Sequence, residues 1–164
     1  DMAGLLFAST AVLGSRLPAP WFAWFNYGLM LIGALLTNYM IFAGEADVLF
    51  TSYPPLRAHP NYYLGIILFA VGTLLYCVHF LITLVVAKKE GYHRGSYPLF
   101  TFGILIAVIL AIFTLLSGAA TYLPTWFWAL GWLESIDPAL YRLRYWAFGQ
   151  SAQQINMTAM ESVS

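Results

Sequence analysis

The chain has 164 residues, of which 61% are hydrophobic and 9% charged, with seven Lys or Arg against seven Asp or Glu. In soluble domains about a quarter of the residues are charged, so this composition excludes an ordinary soluble domain. Apart from Glu161, the charges fall in short clusters and leave charge-free intervals at 17–44, 58–87 and 95–133. Each interval exceeds the about 20 residues that a membrane-spanning helix needs. The sequence therefore predicts an all-α integral membrane protein, a polytopic transmembrane helix bundle.

Proline, glycine and charged residues divide the apolar runs into five predicted helices within a single domain. In chain order these helices cover about 1–13 (a partial helix), 21–42, 62–87, 99–122 and 139–164. The fourth is expected to stop before Pro124, because proline in a helix interior removes a hydrogen bond. The Trp-rich stretch after it suits the headgroup level of a membrane. The chain opens on Asp1 and stops at Ser164 inside a helical pattern, so we expect an internal piece of a longer protein.

Basic residues in the short loops predict the orientation in the membrane. The loops on one side carry basic residues with few acids: Arg16, Lys88, Lys89 and Arg94. The loops on the other side mix basic with acidic residues: Arg57, Arg142, Arg144, Glu45, Asp47, Glu134 and Asp137. We therefore expect the loops near Arg16 and Lys88 to be cytoplasmic, and the last helix to enter the membrane from the outer side.

The last predicted helix carries a stripe of polar side chains. Its members follow helical spacing at i, i+4, i+8 and i+11, with two more amides beside them: Gln150, Gln154, Thr158 and Glu161, then Gln153 and Asn156. On a helix the first four share one face, which descends by about 16 Å at about 1.5 Å per residue. An ionisable side chain in a membrane indicates function, which favours a proton or water path. Hydrogen bonding between helices is the alternative.

Other polar residues carry weaker signals. Cys77 is the lone cysteine, so no disulfide or cysteine metal framework is predicted. His79 lies in an apolar segment and is interpreted as a hydrogen-bonded core residue, whereas His59 and His93 are assigned to loops. The Trp and Tyr clusters are interpreted as interface anchors. No CxxC, HExxH or glycine-rich phosphate loop occurs.

Two segments resemble the catalytic subunit of haem-copper oxidases. The segment LFTSYPPLRAHPNYYLG (49–65) is similar to that family's outer loop and following helix, where Tyr-Pro-Pro-Leu recurs. The segment SIDPALYRLRYWAFGQ (135–150) is similar to the stretch entering the family's sixth helix. The resemblance is closest to the cytochrome ba3-type branch of cytochrome c oxidase subunit I. It implies that the chain runs from the end of the second helix to the sixth helix of a twelve-helix-type subunit.

The resemblance implies two haems and a copper ion in the full-length subunit, with ligands mostly outside this piece. It implies oxygen reduction to water with proton uptake, using electrons from a cytochrome or quinol. It also implies other oxidase subunits and a lipid bilayer as partners, no nucleic acid, and a prokaryotic plasma membrane as the location. The isolated piece is expected to be inactive.

The same resemblance assigns roles to the polar stripe. Gln150 occupies the family's copper-ligand His position and Gln154 its Tyr position, so these two are the catalytic candidates, while Thr158 and Glu161 form a proton path. An amide oxygen is a poor copper ligand, so Gln150 indicates a changed metal, a changed coordination number or a divergent branch. Loss of the Tyr resembles the nitric oxide reductases of the superfamily, an alternative function. A non-catalytic membrane transporter or assembly protein is a second alternative.

Overall fold

The computed structural model describes residues 7, 9–49, 51–91 and 95–161, with the backbone alone at 159 and 161. Four long helices follow one another: α1 (Pro20–Phe42), α2 (Pro60–Lys89), α3 (Leu99–Ala129) and α4 (Pro138–Glu161). Before them, Phe7, Ser9 and Thr10 are helical and residues 11–14 form a turn. The described part of the chain is helical with connecting loops, which confirms the all-α prediction.

Consecutive helices pack against each other, α1 on α2, α2 on α3 and α3 on α4. The two ends of the bundle are tied by contacts between distant segments. At one end, which we call the aromatic end (residues 43–59 and 130–137), the Tyr141 hydroxyl donates to the Thr51 carbonyl at 3.0 Å. At the other, the basic end (residues 14–19 and 90–98), His79 Nε2 lies 2.6 Å from the Pro18 carbonyl oxygen. Each contact thus ties a helix to a loop that is distant in the chain.

Within the described part of the chain, three helices, α1, α2 and α3, are long and apolar enough to cross a membrane. α4 has a comparable length of 24 residues but falls short in apolar character. The reason lies in its composition, since it carries Arg142 and Arg144 near its start and the amides of the polar stripe in its second half. A helix of this kind belongs in a membrane only where its polar side faces protein or water.

The predicted end of the fourth helix at 122 is wrong, because α3 continues to Ala129 with Pro124 inside it. Pro124 removes one backbone donor. The carbonyl without its helical donor is that of Ala120, and two neighbouring threonines donate to other carbonyls, Thr121 Oγ1 to Ser117 and Thr125 Oγ1 to Thr121. In apolar surroundings an unpaired backbone has no water to bind, so the helix persists across the proline. The Trp-rich stretch accordingly begins inside α3 rather than after it.

The other helix ends differ from the predictions by small amounts. α1 begins at Pro20 and α2 at Pro60, since proline is favoured in a first turn. α2 runs on to Lys89. Of the predicted helix over 1–13, the described residues are helical only to Thr10. The predicted positions 1–6, 8, 93–94 and 162–164 lie outside the described residues.

Glycines bring α1 and α2 into backbone contact. A Cβ atom added at Gly33 would lie 2.5 Å from the Phe69 amide nitrogen and 2.6 Å from the Gly65 carbonyl oxygen. One added at Gly72 would lie 2.6 Å from Met30 Cγ. Small residues allow this approach, and in membranes close van der Waals packing is a main source of helix association. We call this contact the α1–α2 seam.

Candidate functional site

The polar stripe lies on one unbroken helix, because α4 continues through Glu161. Gln150, Gln153, Gln154 and Asn156 are exposed, and Thr158 is half-buried with its hydroxyl donating to the Gln154 carbonyl at 2.8 Å. The Glu161 side chain lies outside the described residues. The stripe residues therefore have the predicted helical spacing, but no described residue packs over their amide groups. Their predicted partners in the bundle interior are therefore not supplied by this part of the chain.

The first half of α4 is fixed by a cluster of aromatic side chains, which we call the tyrosine cluster. Its members come from the 43–59 loop and from three helices: Tyr53, Tyr62, Tyr63, Tyr122, Tyr141, Tyr145 and Phe148. The Tyr53 ring lies 5.7 Å from the Tyr141 ring and 5.4 Å from the Tyr145 ring, both edge-on. Edge-on aromatic pairs add stability beyond the area they bury. The Tyr-Pro-Pro-Leu loop is thereby packed directly on the helix that carries Gln150.

Two arginines hold the same loop. Arg57 donates to the Ala129 carbonyl at the end of α3, and its guanidinium lies 5.4 Å from the centre of the Trp128 ring. Arg142 lies 5.8 Å above the Tyr53 ring. Each contact pairs a cation with an aromatic face. In the sequence these arginines indicated only orientation and the tyrosines only interface anchors, and no local signal pointed to their packing role.

An apolar cavity of about 240 Å³ lies beside the helix that carries the polar stripe. It lies between α2 and α3 and reaches α4 at Phe148, with Ile66, Phe69, Leu115 and Leu123 among its lining residues. Phe148 is packed against Gly118, where an added Cβ would lie 3.0 Å from Phe148 Cδ2. Phe148 stands two residues before Gln150 on the same helix. Residues two apart point away from each other on a helix, so the cavity reaches α4 at Phe148 and not on the face of the stripe.

The described residues do not by themselves fit a haem or copper centre. They contain no group of three or more His, Cys, Asp or Glu side chains able to hold a metal ion. His59 caps α2, with its Nδ1 accepting from the Asn61 amide at 3.2 Å. His79 is buried at the basic end, which confirms its interpretation as a hydrogen-bonded core residue. Cys77 is buried and free.

Comparison with known families decides the assignment. The family model described as cytochrome c and quinol oxidase polypeptide I matches residues 2–161. The chain belongs to this family. The resemblance of the Tyr-Pro-Pro-Leu segment and of the stretch before Gln150 is thereby confirmed, and the chain is an integral membrane protein of the oxidase subunit I family.

Individual relatives agree with the family match. The chain is 29% identical to cytochrome c oxidase subunit 1 of Thermus thermophilus over 77% of its length and 22% of the relative's. It is 28% identical to quinol oxidase subunit 1 of Bacillus subtilis over 54% of its length and 15% of the relative's. A solved haem-copper terminal oxidase dimer matches 98% of the chain with a TM-score of 0.84 and 29% identity. The chain spans 27% of that structure's chain.

Proposed function

We propose that the chain is a segment of the catalytic subunit of a haem-copper terminal oxidase, which reduces oxygen to water with electrons from a cytochrome or quinol. The observation that carries the proposal is the likeness to a haem-copper terminal oxidase over 98% of the chain, with a TM-score of 0.84. The full-length subunit would hold two haems and copper or another metal, on ligands mostly outside this segment. The segment would supply the helix at one corner of the metal site.

The apolar cavity supports a small gaseous substrate. Its lining is apolar along α2 and α3 and ends at Phe148, on the helix that carries Gln150. Apolar pockets take up apolar ligands because burial removes their surface from water. Oxygen dissolves in the bilayer and would enter from that side without crossing a charged surface.

We assign Gln150 and Gln154 to the surroundings of the reacting ligand, and Thr158 and Glu161 to proton uptake from the basic end. Amide side chains both donate and accept hydrogen bonds, which suits them to hold water or ligand. Glu161 is the carboxyl group of the stripe, so it is the group able to take up and release a proton. The Thr158 hydroxyl already donates to the Gln154 carbonyl, which leaves its oxygen free to accept from water.

The Glu161 assignment is tested by Glu161→Gln in the full-length subunit. We expect turnover to fall at least tenfold with the haem spectrum unchanged, because glutamine keeps the shape of the side chain but carries no exchangeable carboxyl proton. Glu134→Gln is the matched control, since Glu134 is exposed in the loop at the opposite end of the bundle. Equal turnover in the two variants would remove Glu161 from the proton path.

Reduction of nitric oxide is the second candidate, and Gln154 is the observation that favours it. The resemblance places Gln154 where the oxidases carry a Tyr. Reduced-minus-oxidised visible spectra and metal analysis of the purified full-length protein separate the two functions. Two haem signals with copper support the oxidase, and haem with additional iron in place of copper supports the reductase. A protein without haem would refute both.

The proposed surroundings are a prokaryotic plasma membrane and the other subunits of an oxidase complex. The basic end, with Arg16, Lys88 and Lys89, would face the cytoplasm. Labelling of single cysteines introduced at Arg16 and at Glu134 with a membrane-impermeant reagent tests this orientation. The native Cys77 is buried and serves as the background measurement. Labelling of the Arg16 position from outside intact cells would reverse the assignment.

A further inference from the structure

A fully buried asparagine lies in the middle of the α1–α2 seam. Asn26 is 0% exposed, and neither its Oδ1 nor its Nδ2 atom has a hydrogen-bond partner among the described residues. Its backbone carbonyl lies at the level of Gly72, where an added Cβ would be 3.0 Å from it. An amide can donate two and accept two hydrogen bonds. Leaving all of them unmade in an apolar interior costs about 1–3 kcal/mol per group.

A histidine with an open ring nitrogen faces the same seam closer to the basic end. His79 is 3% exposed, and its Nε2 lies 2.6 Å from the Pro18 carbonyl oxygen. A carbonyl oxygen only accepts, so Nε2 carries a proton, and Nδ1 is the acceptor in that tautomer. Nδ1 is buried and has no partner among the described residues. The ring is held edge-on against Phe22 at 5.3 Å between centroids.

Phe22 links the two side chains along the seam. Asn26 follows Phe22 by one helical turn, about 6 Å along α1 at about 1.5 Å per residue, and Phe22 contacts His79 directly. The seam therefore contains two donors on Asn26 Nδ2, an acceptor on Asn26 Oδ1 and an acceptor on His79 Nδ1. These atoms are enclosed by this chain's own helices, so a side chain from elsewhere in a longer protein cannot reach them without separating α1 from α2.

We propose that the α1–α2 seam is a binding site for buried water, held by the Asn26 amide and His79 Nδ1. Water is the ligand whose chemistry fits, because it donates to Oδ1 and Nδ1 and accepts from Nδ2, and the burial of both side chains excludes larger groups. Buried waters bind polar groups that protein atoms leave unpaired and typically make about three hydrogen bonds. This site is separate from the polar stripe of α4 and does not depend on the substrate of the full-length protein.

The proposal is tested by nitrogen NMR on full-length protein carrying ¹⁵N-labelled histidine. Water donating to Nδ1 moves its resonance upfield from that of an unbonded ring acceptor, and the His79 signal is identified by its loss in His79→Gln. We expect Asn26→Ala to shift this resonance, because it removes the other ligand of the shared water. Asn38→Ala is the matched control, since the Asn38 amide donates to the Ala34 carbonyl of its own helix. An Nδ1 resonance at the unbonded position, or equal spectra of the two Asn variants, overturns the proposal.

Thermal unfolding gives a second readout with opposite signs. If water binds Asn26, Asn26→Ala removes satisfied hydrogen bonds and lowers Tm below that of the unsubstituted protein. Asn26→Leu keeps the side-chain volume and so separates this effect from lost packing. If the seam is dry, Asn26→Leu removes an unpaired amide, and Tm stays level or rises. Should Asn26→Ala fail to fold, a high-resolution structure of the unsubstituted full-length protein decides instead. Density for water within about 3.2 Å of Asn26 Oδ1 or His79 Nδ1 supports the site, and its absence in a well-resolved seam overturns it.

Discussion

Replacing Gly33 with alanine should push α1 away from α2. The added methyl group would lie 2.5 Å from the Phe69 amide nitrogen and 2.6 Å from the Gly65 carbonyl oxygen. Favourable contacts between heavy atoms begin at about 3.5 Å, so the two helices must separate by about 1 Å. Both neighbours are backbone atoms, which cannot rotate aside as a flexible side chain would. The substitution therefore strains the whole seam rather than one rotamer.

The expected cost follows from two opposing effects. Inserting a methyl group into a tightly packed interface costs about 1–3 kcal/mol, and the rigid backbone contacts at Gly33 place this substitution at or above the upper end. Alanine also stabilises a helix by about 1 kcal/mol relative to glycine. We expect a net loss of about 2 kcal/mol in the free energy of unfolding, which corresponds to about 30-fold in the equilibrium constant.

The measurement is the free energy of unfolding of the full-length subunit in lipid bicelles, by steric trapping or denaturant titration. Gly28→Ala provides the matched control, because Gly28 lies on the same helix and a Cβ there has no heavy atom within 4 Å. This control should be neutral or up to about 1 kcal/mol more stable than the unsubstituted protein. If the two variants differ by less than about 0.5 kcal/mol, the close contact at the α1–α2 seam is not what holds these helices together.

Two further predictions concern α4. Tyr141→Phe removes the donor to the Thr51 carbonyl but keeps the ring against Tyr53, so the free energy of unfolding should fall by about 1 kcal/mol. Tyr141→Ala also removes the ring and should lower it by about 3 kcal/mol or more. The rate of proteolysis in the 43–59 loop reports both changes, and equal rates for Tyr141→Phe and the unsubstituted protein would contradict the role of the hydrogen bond. Gly118→Ala places a methyl group 3.0 Å from Phe148 Cδ2 and should narrow the apolar cavity, slowing carbon monoxide recombination in the full-length protein. Gly149→Ala is the control, because the nearest atom to its added methyl group is 3.8 Å away, and it should leave the recombination rate unchanged. Slower recombination in this control would argue against the cavity as the route of the ligand.

Helix positions were predictable to the extent that they depend on local rules. The starts of α1 and α2 fall at prolines that are tolerated in a first turn, and the ends of the predicted helices at 42 and 87 lie close to those observed. The exception is Pro124. The rule that proline ends a helix assumes that water can take up the released backbone groups, and inside an apolar span it cannot. Local sequence reasoning therefore stopped α3 seven residues early.

The tyrosine cluster was not predictable from the pattern of aromatic residues. Interface tyrosines and buried tyrosines have the same sequence signal, because both occur at the ends of apolar helices. What distinguishes Tyr141 is its bond to Thr51, which lies 90 positions earlier in the chain. Arg57 likewise reaches Ala129 across 72 positions. Contacts of this separation exist only after the helices have assembled.

The sequence by itself determined that the chain is a membrane-spanning helical bundle, because long apolar intervals have one stable form where water is absent, with every backbone group bonded inside a helix. It also determined the spacing of Gln150, Gln154 and Thr158 on one face, because helical periodicity is a local property. The tertiary structure alone decided which side chains are enclosed. His79 was predicted to be a core residue, but nothing in the sequence marks Asn26 as buried. Asn26 is enclosed because Gly33, Gly65 and Gly72 let α1 and α2 approach to backbone contact.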